Sequence, residues 1–161
     1  MNKKMSVGWF SFSCCEDSTI VFTELLNDHY LEWLKLVDFK ASRILRGKND
    51  ETNLDVAFVE GAIASKKDAK KLKEIRKNSK KLVAIGSCAV TGMPSAQRNE
   101  FDQEKTKEIS FLVERFKLAK KVVPLNKIVK VDASVSGCPM DEKVFLKLFD
   151  ELLKEFGAKN A

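Results

Sequence analysis

Four cysteines are the residues of this sequence whose type and spacing could support chemistry. Cys14 and Cys15 are adjacent, whereas Cys88 and Cys138 follow much later in the chain. Adjacent cysteines do not readily form a disulfide with each other, because a disulfide needs a Cα separation and a torsion angle that neighbouring residues reach only with strain. In a reducing compartment, such cysteines are more often thiols or metal ligands than a disulfide framework. Whether the four act together depends on the elements that position them.

Short apolar runs alternate with amphipathic stretches along the chain, which predicts alternating strands and helices. Ser65 is expected to cap a lysine-rich helix, and Gly157 to end the last helix. The predicted strands are residues 5–10, 34–45, 55–61, 81–87 and 126–132. The predicted helices are residues 18–34, a lysine-rich helix within 66–81, 103–120 and 141–156, with a polar loop at 46–53.

This alternation of strands and helices predicts an α/β fold. Near-continuous apolar strands such as DVAFVEG, residues 55–61, indicate a parallel sheet that is covered by helices on both faces. The expected architecture is therefore a three-layer α/β sandwich. A length of 161 residues suits one domain with a substantial hydrophobic core. Because no linker or repeat interrupts the pattern, we predict a single domain over residues 1–161.

The four cysteines all fall just beyond the carboxyl ends of predicted strands, the edge where open α/β sheets bind ligands. Glycines precede two of them, in the sequences Gly86-Ser87-Cys88 and Gly137-Cys138. Four converging thiolates suit zinc or an iron–sulfur cluster. Adjacent ligands are awkward around one small tetrahedral ion, whereas a cubane cluster offers separate corners. The alternative is that these are ordinary buried cysteines, which behave as small hydrophobic residues.

Composition and charge exclude several classes of protein. With 44% hydrophobic and 32% charged residues, the chain is globular, and no apolar run approaches the roughly 20 residues that span a membrane. The N-terminus shows no secretory leader, so we expect a cytoplasmic protein. Much of the net charge of +6 lies in the lysine-rich stretch 66–81. This stretch suits a solvated helix face, although nucleic acid or an acidic protein could bind there.

The order of three motifs resembles a known family. CCE, VAIGSCAVTG and SGCPMDE together resemble the small subunits of nickel–iron hydrogenases and the related complex I subunit that carries the terminal 4Fe–4S cluster. The resemblance spans about residues 5–155, and DVAFVEGAIAS matches it as well. It implies a flavodoxin-like domain that binds one 4Fe–4S cluster at the carboxyl edge of the strands and faces a catalytic large subunit.

The resemblance implies ligand roles for the cysteines. Cys15, Cys88 and Cys138 match the family's cluster ligands, and Cys14 is the best candidate for the fourth ligand. Hydrogenase small subunits usually have a C-x-x-C box, whose other cysteine would fall at Phe12. The adjacent pair is instead similar to that of the complex I subunit. We therefore predict that Cys14 and Cys15 supply two corners of one cube.

Other residues receive secondary predictions. The family places Glu16 near the boundary with the large subunit, where it could serve a proton path or the interface, or could instead cap a helix. Arg98 could place positive charge near the cluster or bind the partner. Trp9 is expected to shield the cluster from water, as is Phe12. His29 is interpreted as a surface or packed histidine.

These features favour an electron-transfer subunit of a cytoplasmic hydrogenase. The AQRN stretch, residues 96–99, resembles small subunits of soluble, pyridine-nucleotide-linked hydrogenases. The implied partners are a nickel–iron large subunit and further iron–sulfur or flavin subunits. The chain lacks the two CxxC pairs of a nickel–iron centre, so no catalytic residue is predicted. The alternatives are a complex I-like terminal-cluster subunit, or a non-enzymatic module with inert cysteines whose lysine-rich face binds nucleic acid or an acidic protein.

Overall fold

The computed structural model describes residues 3–159, which form two sheets and six helices. The strands are β1 (Met5–Ser11), β2 (Val37–Ser42), β3 (Leu54–Glu60), β4 (Ile63–Ser65), β5 (Ser79–Ile85), β6 (Leu118–Val123) and β7 (Ala133–Val135). The helices are α1 (Asp17–Leu36), α2 (Lys66–Lys77), α3 (Gly86–Thr91), α4 (Gln103–Glu108), α5 (Ser110–Arg115) and α6 (Glu142–Glu155). Short 3₁₀ turns cover Gln97–Glu100 and Leu125–Lys127.

The main sheet has five strands in the order β2-β1-β3-β5-β7, and every neighbouring pair is parallel. Counted among the strands of this sheet alone, the order is 2-1-3-4-5, which is the strand order of flavodoxin. The order reverses between β1 and β3, so the topological switch point lies between these two strands. The prediction of a parallel α/β sheet is confirmed.

Helices cover both faces of the sheet, and the central strand contributes to both cores. All seven residues of β3 are buried. Val56 and Phe58 belong to the cluster that contains residues of α1 and α6, whereas Ala57 and Val59 belong to the cluster under α2 and α3. The two-residue period of a strand therefore divides one apolar run between two cores.

The first core is built from aromatic rings. Trp9 of β1 stacks on Phe22 of α1 with ring centroids 4.1 Å apart. Phe145 and Phe149 of α6 pack against Phe58 with centroids at 5.5 and 5.9 Å. These contacts fix α1 and α6 on one face of the sheet.

Two predicted elements are wrong in the second half of the chain. The predicted helix 103–120 is two short helices, and its last residues belong to β6. The predicted strand 126–132 lies in the 3₁₀ turn and an irregular segment, and the strand is β7, at 133–135. The physical reason is visible at Asp132, whose N–H donates to the Leu82 carbonyl and whose carboxylate accepts the Leu82 N–H, both at 2.9 Å, so pairing with β5 begins only there.

The small antiparallel sheet of β4 and β6 was not predicted from the sequence. Its outer strand is held by side chains from the 3₁₀ turn. Asn99 exchanges two hydrogen bonds with the backbone of Val122 at 2.7 and 2.9 Å, and Arg98 donates to the carbonyls of Ala119 and Lys120. These long-range bonds replace a neighbouring strand, and local sequence patterns do not encode them.

No helix among residues 3–159 combines the length and the apolar character needed to cross a bilayer.

The predicted cap of the lysine-rich helix is present, and it is testable. The Ser65 hydroxyl accepts the N–H of Asp68 at 3.0 Å. Ser65→Ala should lower the free energy of unfolding by about 1 kcal/mol, because one donor in the first turn loses its acceptor. Urea denaturation of the reduced chain measures this change. Ser136→Ala removes an exposed hydroxyl without a cap and should leave the midpoint unchanged. An equal loss in both variants would contradict the assignment.

Candidate iron–sulfur site

All four cysteines line one cavity at the carboxyl edge of the main sheet. Cys14 and Cys15 follow β1, Cys88 lies in the first turn of α3 directly after β5, and Cys138 follows β7. Three strand ends therefore bring together residues that are far apart in sequence. The predicted convergence of the cysteines agrees with this geometry.

The four thiols differ in their exposure to solvent. All are free of disulfides; Cys88 is buried, Cys14 is half-buried, and Cys15 and Cys138 are exposed. Within residues 3–159 no three His, Cys, Asp or Glu side chains are grouped closely enough to hold a single metal ion. The donor set is four sulfur atoms around one cavity, and that chemistry fits an iron–sulfur cluster, whose iron corners are spread over several ångströms.

The loop that carries the adjacent cysteines is fixed to the end of β3. Phe12 donates its N–H to the Glu60 carbonyl at 2.8 Å, and Ser13 exchanges two backbone hydrogen bonds with Ala62 at 3.0 and 3.1 Å. Gly61 allows this approach, since a Cβ there would lie 2.8 Å from the Phe12 backbone and its φ is +91°. The pair of cysteines is thereby held above the switch point of the sheet.

The loops that carry Cys88 and Cys138 are joined in a similar way. The N–H of Ser87 donates to the Gly137 carbonyl at 2.7 Å. Gly137 has φ +122°, and a Cβ there would lie 2.3 Å from the Pro139 carbonyl oxygen. The backbone conformation before Cys138 therefore requires glycine.

A buried carboxylate lies beside the cysteines and was missed in the sequence. Glu60, the last residue of β3, is 3% exposed and lines the same cavity. Its carboxylate accepts the N–H groups of Ser18 and Thr19 at 3.0 and 3.1 Å and the Thr19 hydroxyl at 2.7 Å. A charged residue at the end of an otherwise apolar strand, just before a glycine, is the signal that could have identified it.

The helix-capping alternative for Glu16 is therefore wrong, and Glu60 takes that role. Glu16 is the residue before α1, with a left-handed backbone at φ 64°, and its side chain makes no capping hydrogen bond. The side chain is exposed near Cys15. A role of Glu16 in a proton path or an interface stays a prediction.

The other residues for which the sequence predicted a secondary role lie in different parts of the structure. The guanidinium of Arg98 is bound to β6 carbonyls, and Arg98 is not among the residues that line the cysteine cavity. Trp9 is buried in the aromatic core, and its Nε1–H donates to the Thr19 hydroxyl at 2.9 Å. Phe12 packs with the core under α2. His29 stacks on the Trp33 ring, with centroids 5.2 Å apart, as a packed histidine does.

The surroundings of Cys14 and Cys15 oppose loss of a proton. Burial, followed by the negative charge of Glu60, raises the pKa of Cys14 from 9.0 to about 12. The backbone N–H of Asp17 lowers the pKa of Cys15, but a hydrogen bond to the Asp17 carboxyl group and the nearby charge leave it raised. Sulfur ligates metals as the thiolate. A bound metal centre would therefore have to displace these protons and compensate the charge.

One hydroxyl contacts a cysteine sulfur directly. Ser95 Oγ lies 3.2 Å from Cys88 Sγ and 2.7 Å from the Ser13 carbonyl oxygen. This contact joins the residue before Cys14 to the sulfur of Cys88. The sequence pattern did not indicate it.

Replacing Glu60 tests its capping role. Glu60→Gln keeps the shape but replaces one acceptor oxygen by an NH₂ group, which faces either the Ser18 N–H or the donors of Thr19. We expect the free energy of unfolding to fall by about 1–3 kcal/mol, because a buried donor loses its acceptor. Glu16→Gln, at the exposed position without a capping bond, should change it by less than about 0.5 kcal/mol. Equal effects in urea denaturation would contradict the role of Glu60.

The raised pKa of Cys14 predicts slow alkylation in the cluster-free, reduced chain. The rate follows the thiolate fraction, so at pH 8 Cys14 should react roughly 1,000-fold more slowly than a thiol of pKa 9. The contribution of this thiol to the free energy of unfolding is fully present below pH 9, the pKa of the unfolded chain. It is lost as the pH rises from 9 towards about 12, because the unfolded chain loses the proton first. Mass spectrometry of iodoacetamide-treated protein should show Cys15 labelled before Cys14. Urea should abolish the difference, and equal rates in the folded chain would contradict the prediction.

Comparisons with known proteins agree with the cysteine motifs. Residues 14–152 match the family described as NADH ubiquinone oxidoreductase, 20 Kd subunit. The chain is 25% identical to the NAD-reducing hydrogenase HoxS subunit delta of Cupriavidus necator, over 93% of this chain and 79% of that protein. It is 26% identical to an F420-non-reducing hydrogenase subunit of Methanothermobacter marburgensis, over 96% of this chain. The chain spans 55% of the length of that archaeal protein.

Solved structures show the same fold. A chain of an NAD⁺-reducing [NiFe]-hydrogenase in the H₂-reduced state matches with a TM-score of 0.81 at 24% identity, over 95% of this chain and 93% of that one. An actinobacterial-type NiFe-hydrogenase from Ralstonia eutropha H16 matches with a TM-score of 0.66 at 14% identity, over 97% of this chain and 55% of that one. With the family match, these findings show that the chain belongs to the NADH ubiquinone oxidoreductase 20 Kd subunit family, a family of oxidoreductase subunits that includes hydrogenase small subunits.

Proposed function

We propose that this chain is the electron-transfer small subunit of a cytoplasmic nickel–iron hydrogenase-type oxidoreductase and holds one 4Fe–4S cluster. The observation that supports this most directly is that four free cysteines from three strand ends line one cavity. Cys14, Cys15, Cys88 and Cys138 would hold the cluster. When bound, a 4Fe–4S cluster supplies one-electron transfer.

The residues around the cavity control the environment of such a cluster. Glu60 adds a buried negative charge, which disfavours an additional electron and so lowers a reduction potential. Its hydrogen bonds to Ser18 and Thr19 hold that charge in place. Cys88 is buried, so at least one ligand sulfur would lie away from water. The protein thus provides ligands, charge and burial, and the redox chemistry belongs to the cofactor.

A large catalytic subunit is the proposed partner on the cysteine side of the molecule. Cys15 and Cys138 are exposed, and so are the apolar side chains of Ile20 and Met93, at 57% and 43%. Ile20 lies in the first turn of α1, which begins beside the cysteine cavity, and Met93 lies two residues before Ser95, whose hydroxyl contacts the sulfur of Cys88. Exposed apolar groups around redox ligands favour coverage by another protein. Electrons would pass from there to further iron–sulfur or flavin subunits.

Two alternatives rest on specific observations. A complex I-like terminal-cluster subunit is supported by the adjacent Cys14-Cys15 pair and by the description of the matching family. A binding module with inert cysteines would use the lysines of α2. In that helix Leu72 and Ile75 are buried and most of the lysines face solvent, as in an ordinary amphipathic helix. The hydrogenase relatives favour the first proposal.

Metal analysis of this chain alone after anaerobic reconstitution, together with anaerobic purification of the chain with its native partners, tests the proposal. In the reconstituted chain, iron and acid-labile sulfide should each approach four per chain, because four thiolates complete one cubane cluster. A co-purifying chain with two CxxC pairs would identify the nickel–iron subunit. Stoichiometric zinc without iron would contradict the cluster, and a complex I-type partner would support the first alternative.

Cysteine variants provide the matched control. Cys14→Ala should lower the iron content below four, because one corner of the cube loses its thiolate. Phe12→Cys in a Cys14→Gly background would restore the usual hydrogenase box. We expect no recovery of the cluster in that variant, since Phe12 packs with the core under α2 and does not line the cysteine cavity. A full four-iron spectrum in Cys14→Ala would remove Cys14 from the ligand set.

A further inference from the structure

Ser95 is held in a fixed loop beside the most deeply buried cysteine. The loop follows α3 and is closed by backbone hydrogen bonds from Ala96 to the Gly92 carbonyl at 2.8 Å and from Gln97 to the Pro94 carbonyl at 3.1 Å. Ser95 is half-buried, and Cys88 is 5% exposed. The turn therefore fixes the backbone of Ser95, and the two contacts of its hydroxyl orient the side chain.

The Ser95 hydroxyl has two acceptors but one proton. Its oxygen lies 2.7 Å from the Ser13 carbonyl oxygen and 3.2 Å from Cys88 Sγ. A hydroxyl donates one hydrogen bond at a time. A neutral thiol is a weak acceptor, whereas an anionic sulfur accepts a stronger, charge-assisted bond. The preferred acceptor therefore depends on the negative charge on Cys88 sulfur.

Cys88 differs from the other three cysteines in this respect. Within residues 3–159, Cys88 is the one cysteine whose sulfur has a side-chain hydrogen-bond donor, the Ser95 hydroxyl. Because Cys88 is buried, the surroundings have a low dielectric constant, and the hydrogen bond is stronger than it would be in water. Glu60 acts in the opposite direction, because its negative charge lies in the same cavity.

We propose that Ser95 is a positioning residue that raises the reduction potential of the cluster by donating an O–H···S hydrogen bond to Cys88. The inference rests on the proposed function, in which Cys88 is a cluster ligand. Reduction adds one electron and increases the negative charge on the ligand sulfurs, so the hydrogen bond stabilises the reduced state more than the oxidised state. No proton is transferred, and the hydroxyl stays protonated in both states.

The same hydroxyl also connects two ligand loops. Ser13 precedes Cys14, and its carbonyl shares the Ser95 proton with the sulfur of Cys88. When the sulfur of Cys88 becomes more negative, the Ser95 hydroxyl donates its hydrogen bond to that sulfur instead of to the Ser13 carbonyl. The hydrogen bonding next to Cys14 thus responds to the charge at Cys88.

The test is an electron paramagnetic resonance-monitored redox titration of the full chain after anaerobic reconstitution. Ser95→Ala should shift the midpoint potential to more negative values at an unchanged iron content. Ser95→Thr keeps the hydroxyl and should remain close to the unmodified chain. Ser136→Ala removes an exposed hydroxyl two residues from Cys138 that makes no hydrogen bond to a sulfur within residues 3–159, so it should leave the potential unchanged. An unchanged potential in a fully loaded Ser95→Ala variant would overturn the inference.

A second measurement covers the case in which Ser95→Ala does not assemble. Electron–nuclear double resonance of the unmodified chain, after brief exposure to D₂O, should show loss of a proton coupling, because a hydroxyl exchanges faster than hydrogen-bonded amides. Absence of any rapidly exchanging coupled proton would overturn the role of Ser95. If the unmodified chain binds zinc and no iron, the proposed function fails first, and this inference fails with it.

Discussion

The rest of the site depends on the hydrogen bonds between the Glu60 carboxylate and the first turn of α1. Glu60 ends the central strand, is nearly fully buried, and accepts three hydrogen bonds from the start of α1. An isolated buried charge is costly, and here the N-terminal N–H groups of a 20-residue helix compensate it. The same bonds set where α1 begins, and hence where the chain turns after Cys15. Sheet, helix and cysteine loop thus meet at one side chain.

This arrangement places two electrostatic demands in conflict. The carboxylate of Glu60 holds the start of α1, yet the cysteines also bind metal as anions; burial, and after it the charge of Glu60, raises the pKa of Cys14. The conflict is resolved only when positive charge enters the cavity, as the iron of a cluster would supply. In its proposed role, the hydroxyl of Ser95 would reduce the repulsion at the sulfur of Cys88 without adding a charge. Under the proposed function, binding of a cluster would therefore be coupled to the charge of Glu60.

The sequence was sufficient for the parallel sheet and for the convergence of the cysteines, because both follow from apolar strands and from what lies at their ends. It was insufficient wherever long-range hydrogen bonds decide the structure. Glu16 directly precedes α1 and Glu60 ends a distant strand, and only the three-dimensional position of β3 shows that the Glu60 side chain caps the helix. Strand β6 depends on Arg98 and Asn99, and the start of β7 depends on Asp132. No local periodicity reports such contacts.

The spread of the cysteines along the chain has a consequence for biosynthesis. Cys14 leaves the ribosome long before Cys138, which follows more than a hundred residues later, next to the edge strand β7. Long-range parallel pairing is a slow class of folding event, since distant segments must meet before contacts compensate the lost entropy. The four thiols can therefore surround one cavity only after β1, β3, β5 and β7 have been synthesised and paired. A machinery that delivers iron and sulfide would have to act on the completed fold rather than on the growing chain.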